Sequence, residues 1–303
     1  MHLVTKADWS GGTPTDSPTS HGLVRNVVVG RETGSTHTEL ANTRLVPGAW
    51  LGRHRHSFEE ALYVLAGELI VELDRLVHRL RAGDFVLLPI GVWHALLNAG
   101  NEEVRLLSVN TPHRLAADAG RRDTFFDGER LDPAEFDARA ERPDVRDPGT
   151  RWVGHYDGTP PQAEALAVAD PARGRAPAGM DTALLAYSGI SVKMLVDRVF
   201  GADLLTMFTV DYEPNGAAQA HDHPFEETYF FLAGEVEAEL EGERHVLRPG
   251  DVVFAGVGSL HGFWNTGTER VRWIETQAPQ PPARHAYRWA PTWARLEAPE
   301  GGR

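Results

Sequence analysis

Apolar and polar residues alternate along many short stretches of this chain, and glycine or proline bounds most of them. Successive side chains of a β-strand point to opposite faces, so a period of two residues predicts strands with one buried face. One group of stretches lies at 24–29, 61–73, 85–88 and 104–109, and a later group lies at 192–199, 204–212, 228–240, 252–255 and 271–275. Each group predicts an antiparallel sandwich or small barrel with tight turns.

The two groups of stretches are copies of one another. Residues 22–112 recur without a gap at 189–279, and one constant shift carries Gly67 onto Gly234 and Asp84 onto Asp251. A period this long exceeds that of solenoid repeats and indicates two copies of a domain. We therefore predict four regions, which are an N-terminal barrel at 1–115, a linker at 116–181, a C-terminal barrel at 182–282 and a tail at 283–303.

The predicted linker is polar and partly helical. Asp132 followed by Pro133 is typical of a helix N-cap with proline in the first turn, so a short helix is expected to run to about Arg139. A second short helix is expected near 162–169. The tail contains Trp289 and Trp293, and two alternatives stay open for it, packing within the chain or contact in a homo-oligomer.

Composition limits the partners and the chemistry. The 303 residues are 42% apolar, enough for two cores, and the formal charge of −13 disfavours nucleic acid and anionic membranes. The chain has no apolar stretch long enough to span a membrane and no signal-peptide core, so a cytoplasmic protein acting on a small molecule is expected. It has no cysteine, which excludes disulfides and thiolate metal sites.

A set of metal-ligand residue types recurs within the repeat. His54 and His56 are two residues apart, so on a β-strand both side chains project from the same face. Glu60 is a further four residues along, an even spacing that would place it on that face as well. His94 is expected at the start of a distant strand. A single His-x-His pair is more often structural, but here every member recurs in register while the residues between them differ. The predicted ligands are His54, His56, Glu60 and His94 in the first copy and His221, His223, Glu227 and His261 in the second.

The spacing of these residues resembles the two signatures of the cupin superfamily. The first is Gly48, five residues, His54-x-His56, three residues, Glu60, six residues and Gly67; the second is Gly83, five residues, Pro89-x-Gly91, two residues, His94, three residues and Asn98. The second copy departs from them only at Asn215 and Gly256, neither a ligand position. The resemblance implies an all-β bicupin, with two tandem antiparallel jelly-roll (double-stranded β-helix) barrels.

Three imidazoles and one carboxylate suit several divalent ions and leave coordination positions open for substrate or dioxygen. Because bicupins often hold manganese or iron, the resemblance implies Fe(II) or Mn(II), up to one ion per barrel. Nickel, cobalt, copper and zinc remain alternatives, since the same donors suit them.

The two barrel mouths are not predicted to be alike. Trp50 and Gly52 are an even number of residues before His54, so they are expected on the same strand face as the first histidine pair. Ala217 and Gln219 stand at these positions in the second copy, so the first barrel is predicted to have an aromatic mouth and the second a polar one. Further replacements near the ligands are Leu96 by Phe263, Leu106 by Trp273 and Ser108 by Glu275.

The resemblance leaves the reaction open. The leading hypothesis is an Fe(II)-type dioxygenase acting on a small aromatic or carboxylated molecule, similar in outline to ring-cleaving bicupins. One alternative is a Mn-dependent decarboxylase, isomerase or hydrolase of a small acid, and another is a non-catalytic metal- or small-molecule-binding cupin. Oxalate decarboxylases carry an arginine three residues before the first ligand histidine, where this chain has Leu51 and Ala218. No general acid or base is assigned.

Overall fold

The computed structural model describes residues 1–114, 122–128, 132–145, 147, 150–158, 187–281 and 288–289. These residues are mostly β-strand, with one short α-helix among them. Within these ranges, no helix has the length and apolar character needed to cross a bilayer. The second helix predicted near 162–169 and most of the tail, including Trp293, lie outside the described residues.

The elements of the first half of the chain come in the following order. They are β1 (His2–Lys6), β2 (Asp16–Ser17), β3 (Ser20–Val29), β4 (Glu39–His56), β5 (Glu59–Ala66), β6 (Glu68–Leu73), β7 (Leu76–Arg81), β8 (Asp84–Leu88), β9 (His94–Leu97), β10 (Val104–Thr111), β11 (Thr124–Phe126), α1 (Pro133–Arg139) and β12 (Val153–His155). The second half contributes β13 (Tyr187–Val196), β14 (Thr206–Asp222), β15 (Glu226–Ala233), β16 (Val236–Leu240), β17 (Glu243–Leu247), β18 (Asp251–Ala255), β19 (His261–Trp264), β20 (Val271–Ala278) and β21 (Arg288–Trp289).

The strands form two curled antiparallel sheets with matching topology. The first sheet has the order β12-β8-β5-β10-β4-β9-β6-β7, and the second has β1-β18-β15-β20-β14-β19-β16-β17. From β8 and β18 onward, each strand of one sheet is the sequence counterpart of the strand at the same place in the other. The prediction of an all-β fold with two tandem barrels of the jelly-roll type is confirmed.

The chain divides into two compact units. One contains Ala7 to residue 158 together with Leu195–Leu205, and the other contains Met1–Lys6 together with the described residues of 187–194 and from Thr206 onward. In the second unit, β1 pairs with β18 from His2 opposite Ala255 to Lys6 opposite Asp251. In the first unit, β12 occupies the equivalent place beside β8. Each sheet thus receives an outer strand from outside the repeated segment.

Two glycines divide what the sequence pattern presents as single strands. The apolar stretch 61–73 forms β5 and β6, because Gly67 lies between them with a φ of 77°, in the left-handed region. A Cβ at Gly67 would lie 2.6 Å from the carbonyl oxygen of Glu103. At the equivalent turn Gly234 has a φ of 74°, and a Cβ would lie 2.5 Å from the oxygen of Arg270. Each of the apolar stretches 61–73 and 228–240 therefore forms two strands joined by a tight turn.

The two departures from the cupin signatures have local explanations. Asn215 takes the place of Gly48 with a φ of 65°, a conformation that asparagine tolerates better than most residues. Gly256 takes the place of Pro89, and its backbone N–H donates a 2.9 Å hydrogen bond to the carbonyl oxygen of Met1. Proline has no N–H to donate. The replacement therefore supports the docking of the chain segment that carries β1.

The predicted helix at 133–139 is confirmed and has a packing role. The carboxylate of Asp132 accepts hydrogen bonds from the backbone N–H groups of Ala134 and Glu135, which caps α1 at its first turn. Phe136 packs with Trp50 against a small cluster that includes Ile70. The helix therefore covers the outer face of the sheet of the first unit.

The interiors of the two barrels differ in composition. The first core is aliphatic and includes Leu62, Leu96 and Leu106. The second core has Tyr229, Phe263 and Trp273 at the same three positions. The aromatic side chains occupy more volume than leucines, so the space above the ligand residues is filled differently in the two units.

Candidate metal centres

A bulge in the long strand of each barrel brings the histidines together. The pairing of β4 with β9 shifts register between Leu51 and His54, which places His54 directly opposite His94. The pairing of β14 with β19 shifts at the equivalent point and places His221 opposite His261. His94 is the first residue of β9, as predicted. Bulges of this kind re-aim side chains next to functional sites.

Each of the six histidines has its ring fixed by a backbone carbonyl. Nδ1 of His54, His94, His221 and His261 lies 2.7–2.9 Å from the carbonyl oxygen two residues earlier, and Nδ1 of His56 and His223 lies 2.6 and 2.9 Å from the oxygen two residues later. A carbonyl only accepts, so every Nδ1 carries the proton and donates. In a neutral ring Nε2 then presents a lone pair, the form in which histidine binds metals.

The ring positions are nearly the same in both barrels. Ring centroids of His54 and His94 are 4.1 Å apart, and those of His221 and His261 are 4.5 Å apart. Phe58 stacks on His56 at 3.9 Å, as Phe225 does on His223. The repetition in sequence is thus a repetition in geometry.

The donor atoms converge as a metal site requires. In the first barrel, one donor atom from each of His56, Glu60 and His94 lies within 4.8 Å of the others, and the second barrel groups His221, His223 and His261 in the same way. Nε2 of His94 is buried, and no group among the described residues forms a hydrogen bond with it. A buried lone pair without a donor is costly, so this atom fits a metal ion. Each barrel is consistent with one metal site, while the full four-residue ligand sets stay a prediction.

Glu60 is held as a carboxylate beside the histidines. Burial raises its pKa, but the neighbouring His56, the charge of Arg25 and the hydrogen bond from Ser108 outweigh burial and lower the pKa well below its ordinary value. Oε2 of Glu60 lies 3.5 Å from Nε2 of His56. The group is therefore ionised at neutral pH, the form that binds a cation.

Glu227 is more tightly enclosed than its counterpart. Its Oε2 lies 2.7 Å from Nε2 of His223 and 3.1 Å from Nε2 of His261, and its Oε1 accepts a 2.8 Å hydrogen bond from Nε2 of Gln277. Tyr229 donates a further hydrogen bond from its phenol to Oε2. Burial opposes ionisation, but His223 and His261 hold the pKa of Glu227 well below its usual range.

Burial keeps several ligand histidines neutral. It lowers the pKa of His54 to about 4 and that of His221 to about 3, in the latter case together with the charge of His261. His94 shifts in the same direction through burial and its histidine neighbours. His223 is the exception, because Glu227 outweighs burial and raises its pKa. Neutral imidazoles bind metals without first losing a proton.

The first barrel has a cavity in front of its ligand residues. Its volume is about 30 Å³, and its lining includes the four predicted ligands together with Leu96, Leu106, Ser108, Arg25 and Arg114. The prediction that positions 96, 106 and 108 adjoin the site is confirmed for the first barrel. Sequence reasoning missed both arginines. Arg25 lies on β3 and Arg114 follows β10, outside the signatures, and only the pairing of β3 with β4 brings Arg25 to the site.

The prediction of an aromatic first mouth from Trp50 is wrong. Trp50 packs on the outer cluster that includes Ile70, because the bulge after Leu51 changes which face the residues before it occupy. Aromatic character comes instead from β11, which pairs with β4 and places the ring of Phe126 in a stacked arrangement 5.1 Å from that of His54. No sequence motif marked that strand.

The second barrel presents carboxylates and aromatic rings to its ligands. Burial and the charge of Glu227 raise the pKa of Glu275 well above its ordinary value, which favours the neutral form of this carboxyl. Trp273 donates a 2.9 Å hydrogen bond from Nε1 to Oε2 of Glu275. Val192 and Pro281 stand at the positions of Arg25 and Arg114. The second copy therefore has no arginine at either of these two positions.

Glu59 directly precedes Glu60, but its hydrogen bonds lie outside the candidate metal centre of the first barrel. Its carboxylate accepts hydrogen bonds from the backbone N–H groups of Asp203, Leu204 and Leu205 at 2.6, 2.8 and 3.3 Å. It therefore anchors the segment Leu195–Leu205 to the first unit.

Comparison with known proteins identifies the family of the repeated segments. The cupin domain model matches residues 42–110 and 208–276. Protein SchB of Streptomyces halstedii is 35% identical over 104 residues, covering 34% of this chain and 75% of that protein. Polyketide synthase CurC of Streptomyces cyaneus is 30% identical over 131 residues, covering 41% of this chain and 85% of that protein.

The fold also matches that of solved structures. The crystal structure of oxalate decarboxylase from Bacillus subtilis aligns with a TM-score of 0.58 at 18% identity, over 98% of this chain and 80% of that one. Identity at this level supports a shared fold and nothing about activity. With two matched domains, two sheets of one topology and a histidine triad in each, the chain belongs to the cupin family and is a bicupin.

Proposed function

We propose that this bicupin is a metal-dependent enzyme of the dioxygenase type, and that its reaction takes place in the first barrel on a small carboxylated molecule. The observation that carries the proposal is the position of Arg25 and Arg114 in the cavity that His54, His56 and His94 also line. Arginine is suited to binding carboxylates because its planar guanidinium offers paired donors.

The charges around the two sites favour an anionic substrate in the first barrel only. Arg25 pairs with Glu39 at 2.7 Å, and Arg114 and Glu60 line the same cavity with opposite charges, so the charge of a bound divalent ion would stay uncompensated. In the second barrel Glu227 supplies negative charge, and the residues at the two arginine positions are uncharged. An anion is therefore attracted more strongly to the first site.

The dimensions of the first cavity limit what enters it. A volume of about 30 Å³ holds one or two water molecules, so only the reacting end of a substrate fits beside the ligands. The rest would lie at the mouth, where the ring of Phe126 is 38% exposed. A hydroxylated aromatic acid meets both conditions, with its carboxylate toward the arginines and its ring against Phe126.

The donor groups of the first barrel suit an Fe(II) or Mn(II) ion. His54, His56, Glu60 and His94 would hold the ion, and their backbone hydrogen bonds keep each Nε2 aimed inward. Bound there, the ion would supply dioxygen activation if ferrous or carboxylate polarisation if manganous. Leu62, Leu96 and Leu106 exclude bulk water from the same space.

Phenolic acids are the first compounds to test, since they combine the carboxylate and the ring that suit the arginines and Phe126. The second candidate is a non-oxidative decarboxylase of a small acid, which the small cavity favours. In a dioxygenase reaction both atoms of O₂ enter the product. In decarboxylation a C–C bond breaks, CO₂ leaves, and a proton takes its place on carbon.

The test combines metal analysis with oxygen measurement. Metal per chain is measured for the wild type, for His54→Ala with His56→Ala, and for His221→Ala with His223→Ala, after loading with Fe(II) or Mn(II). Each double variant is expected to lose about one equivalent. Oxygen uptake with a panel of phenolic acids is expected to disappear with the first pair.

The outcomes separate the candidates. Incorporation of label from ¹⁸O₂ supports the dioxygenase, while CO₂ release without oxygen uptake supports the decarboxylase. Loss of turnover with the second pair alone would move the reaction to the second barrel. A wild type that retains neither metal would overturn the proposal.

A further inference from the structure

A second kind of histidine cluster lies apart from both barrel ligand sets. It consists of His2 on β1 and of Glu243 and His245 on β17, and all three belong to the same unit. One donor atom from each residue lies within 4.8 Å of the others. The donors are two imidazole nitrogens and one carboxylate oxygen, a set that suits zinc, nickel or copper.

The distances within this cluster are longer than hydrogen bonds. Oε2 of Glu243 lies 3.6 Å from Nε2 of His2 and 3.9 Å from Nε2 of His245. A hydrogen bond of this kind requires about 2.7–3.2 Å. Donors about 2.0–2.2 Å from one tetrahedral ion lie roughly 3.3–3.6 Å from each other, so the two distances from Glu243 are close to those between ligands of a common ion.

Two further observations point to an ion. Nε2 of His245 is buried, and no group among the described residues forms a hydrogen bond with it. On the other side of the His2 ring, Nδ1 faces Oε2 of Glu241 at 3.7 Å. This distance is longer than a hydrogen bond, but it places an acceptor on the side of the ring where metal-binding histidines commonly have one. The side chain of Glu243 is 71% exposed, which leaves a path for the ion and its water ligands.

We propose that His2, Glu243 and His245 form a third metal site, which binds a divalent transition-metal ion such as zinc. The strands that carry these residues, β1 and β17, stand at the two ends of the strand order of the second sheet. An ion held between them would join these two edges. The site is thus structural in its effect, and it is independent of the reaction proposed for the first barrel.

The test uses full-length protein equilibrated with micromolar zinc and then freed of unbound metal. Zinc per chain is compared among the wild type, Glu243→Gln, His245→Ala and the control Glu239→Gln, which changes a carboxylate on the neighbouring strand β16. Each cluster variant is expected to hold one equivalent less than the wild type and the control. The rise in melting temperature on adding zinc is expected to shrink in the same two variants.

Equal zinc content in all four proteins would overturn the proposal, as would a third equivalent that binds only at millimolar zinc. If His245→Ala fails to fold, Glu243→Gln still decides, because it changes one oxygen of an exposed side chain to nitrogen. Unchanged metal content of the barrels in that variant would show that the fold is intact.

Discussion

Tyr229 donates a hydrogen bond from its phenol to Oε2 of Glu227, the same oxygen that faces His223 and His261. Leu62 stands at the position of Tyr229 in the first barrel, so the first-barrel glutamate has no such donor at this point. Instead Ser108 donates to Oε1 of Glu60. The two carboxylates are therefore oriented by different neighbours although the ligand residues repeat.

Replacing Tyr229 with phenylalanine tests the role of that phenol. Groups that orient metal ligands typically contribute about 10- to 100-fold to affinity, so Tyr229→Phe is expected to weaken metal binding in the second barrel by about tenfold. Binding in the first barrel stays the same. Competition with a chromophoric chelator measures both sites, with Tyr63→Phe as the control for removal of a phenol. Equal affinities in Tyr229→Phe and wild type would count against the orienting role.

Arg114 is expected to contribute to substrate binding. Loss of a charge-assisted hydrogen bond costs about 1.5–3 kcal/mol, so Arg114→Gln should raise KM for a carboxylated substrate by roughly 10- to 100-fold. The metal content should not change, because the arginine is not a ligand. The matched control is Arg105→Gln, which removes an exposed arginine paired with Glu103. An increase in KM of similar size in both variants would refute the specific role.

Much of the fold follows from the repeat. The two-residue spacing of His54 and His56 on β4 and the glycines with positive φ at the turns can both be recognised in the sequence. Strand β7 was not predicted because apolar and polar residues do not alternate along it, and His78, Arg79 and Arg81 make it largely polar. Strand β11 was not predicted because three residues are too few to show an alternation of apolar and polar side chains.

The lining of the first site was less predictable. The alternation of side chains along a strand predicted that Trp50 lies in the barrel mouth. The bulge after Leu51 reverses which face the preceding residues occupy, and no residue pattern in the sequence indicates it. Arg25 reaches the cavity only through the pairing of β3 with β4, a contact between residues far apart in the chain. Long-range register is set by packing, which a local pattern does not encode.

The metal-free protein should lose stability as the pH falls. The pKa of folded His54 is about 4, below the value of 6.5 for an ordinary histidine, so the unfolded chain binds a proton at a pH where the folded chain does not. Stability from this group is complete above about pH 6.5 and declines toward pH 4, by at most about 3 kcal/mol. The lowered pKa of His221 acts in the same direction, and the raised pKa of His223 opposes it.

Urea unfolding of the metal-free protein at pH 7.0, 5.5 and 4.5 measures this dependence. His54→Asn removes one titrating group and is expected to flatten the decline between pH 6.5 and 4. An equally steep decline in that variant would show that His54 does not contribute. Bound metal should move the decline to lower pH, because protons then compete with the ion for each Nε2.

Glu59 is expected to be more important for stability than its position next to Glu60 suggests. Its carboxylate accepts three backbone hydrogen bonds from Asp203, Leu204 and Leu205, and glutamine would present an N–H₂ group to at least one of those donors. Leaving buried donors unsatisfied costs about 1–3 kcal/mol each, so Glu59→Gln should lower the free energy of unfolding by about 2 kcal/mol. Glu68→Gln, which affects an exposed pair with Arg79, should change it by less than about 0.5 kcal/mol. Chemical denaturation measures the free energy of unfolding of the two variants. Faster proteolysis near 195–205 in Glu59→Gln would locate the effect. Equal stability of both variants would contradict the anchoring role.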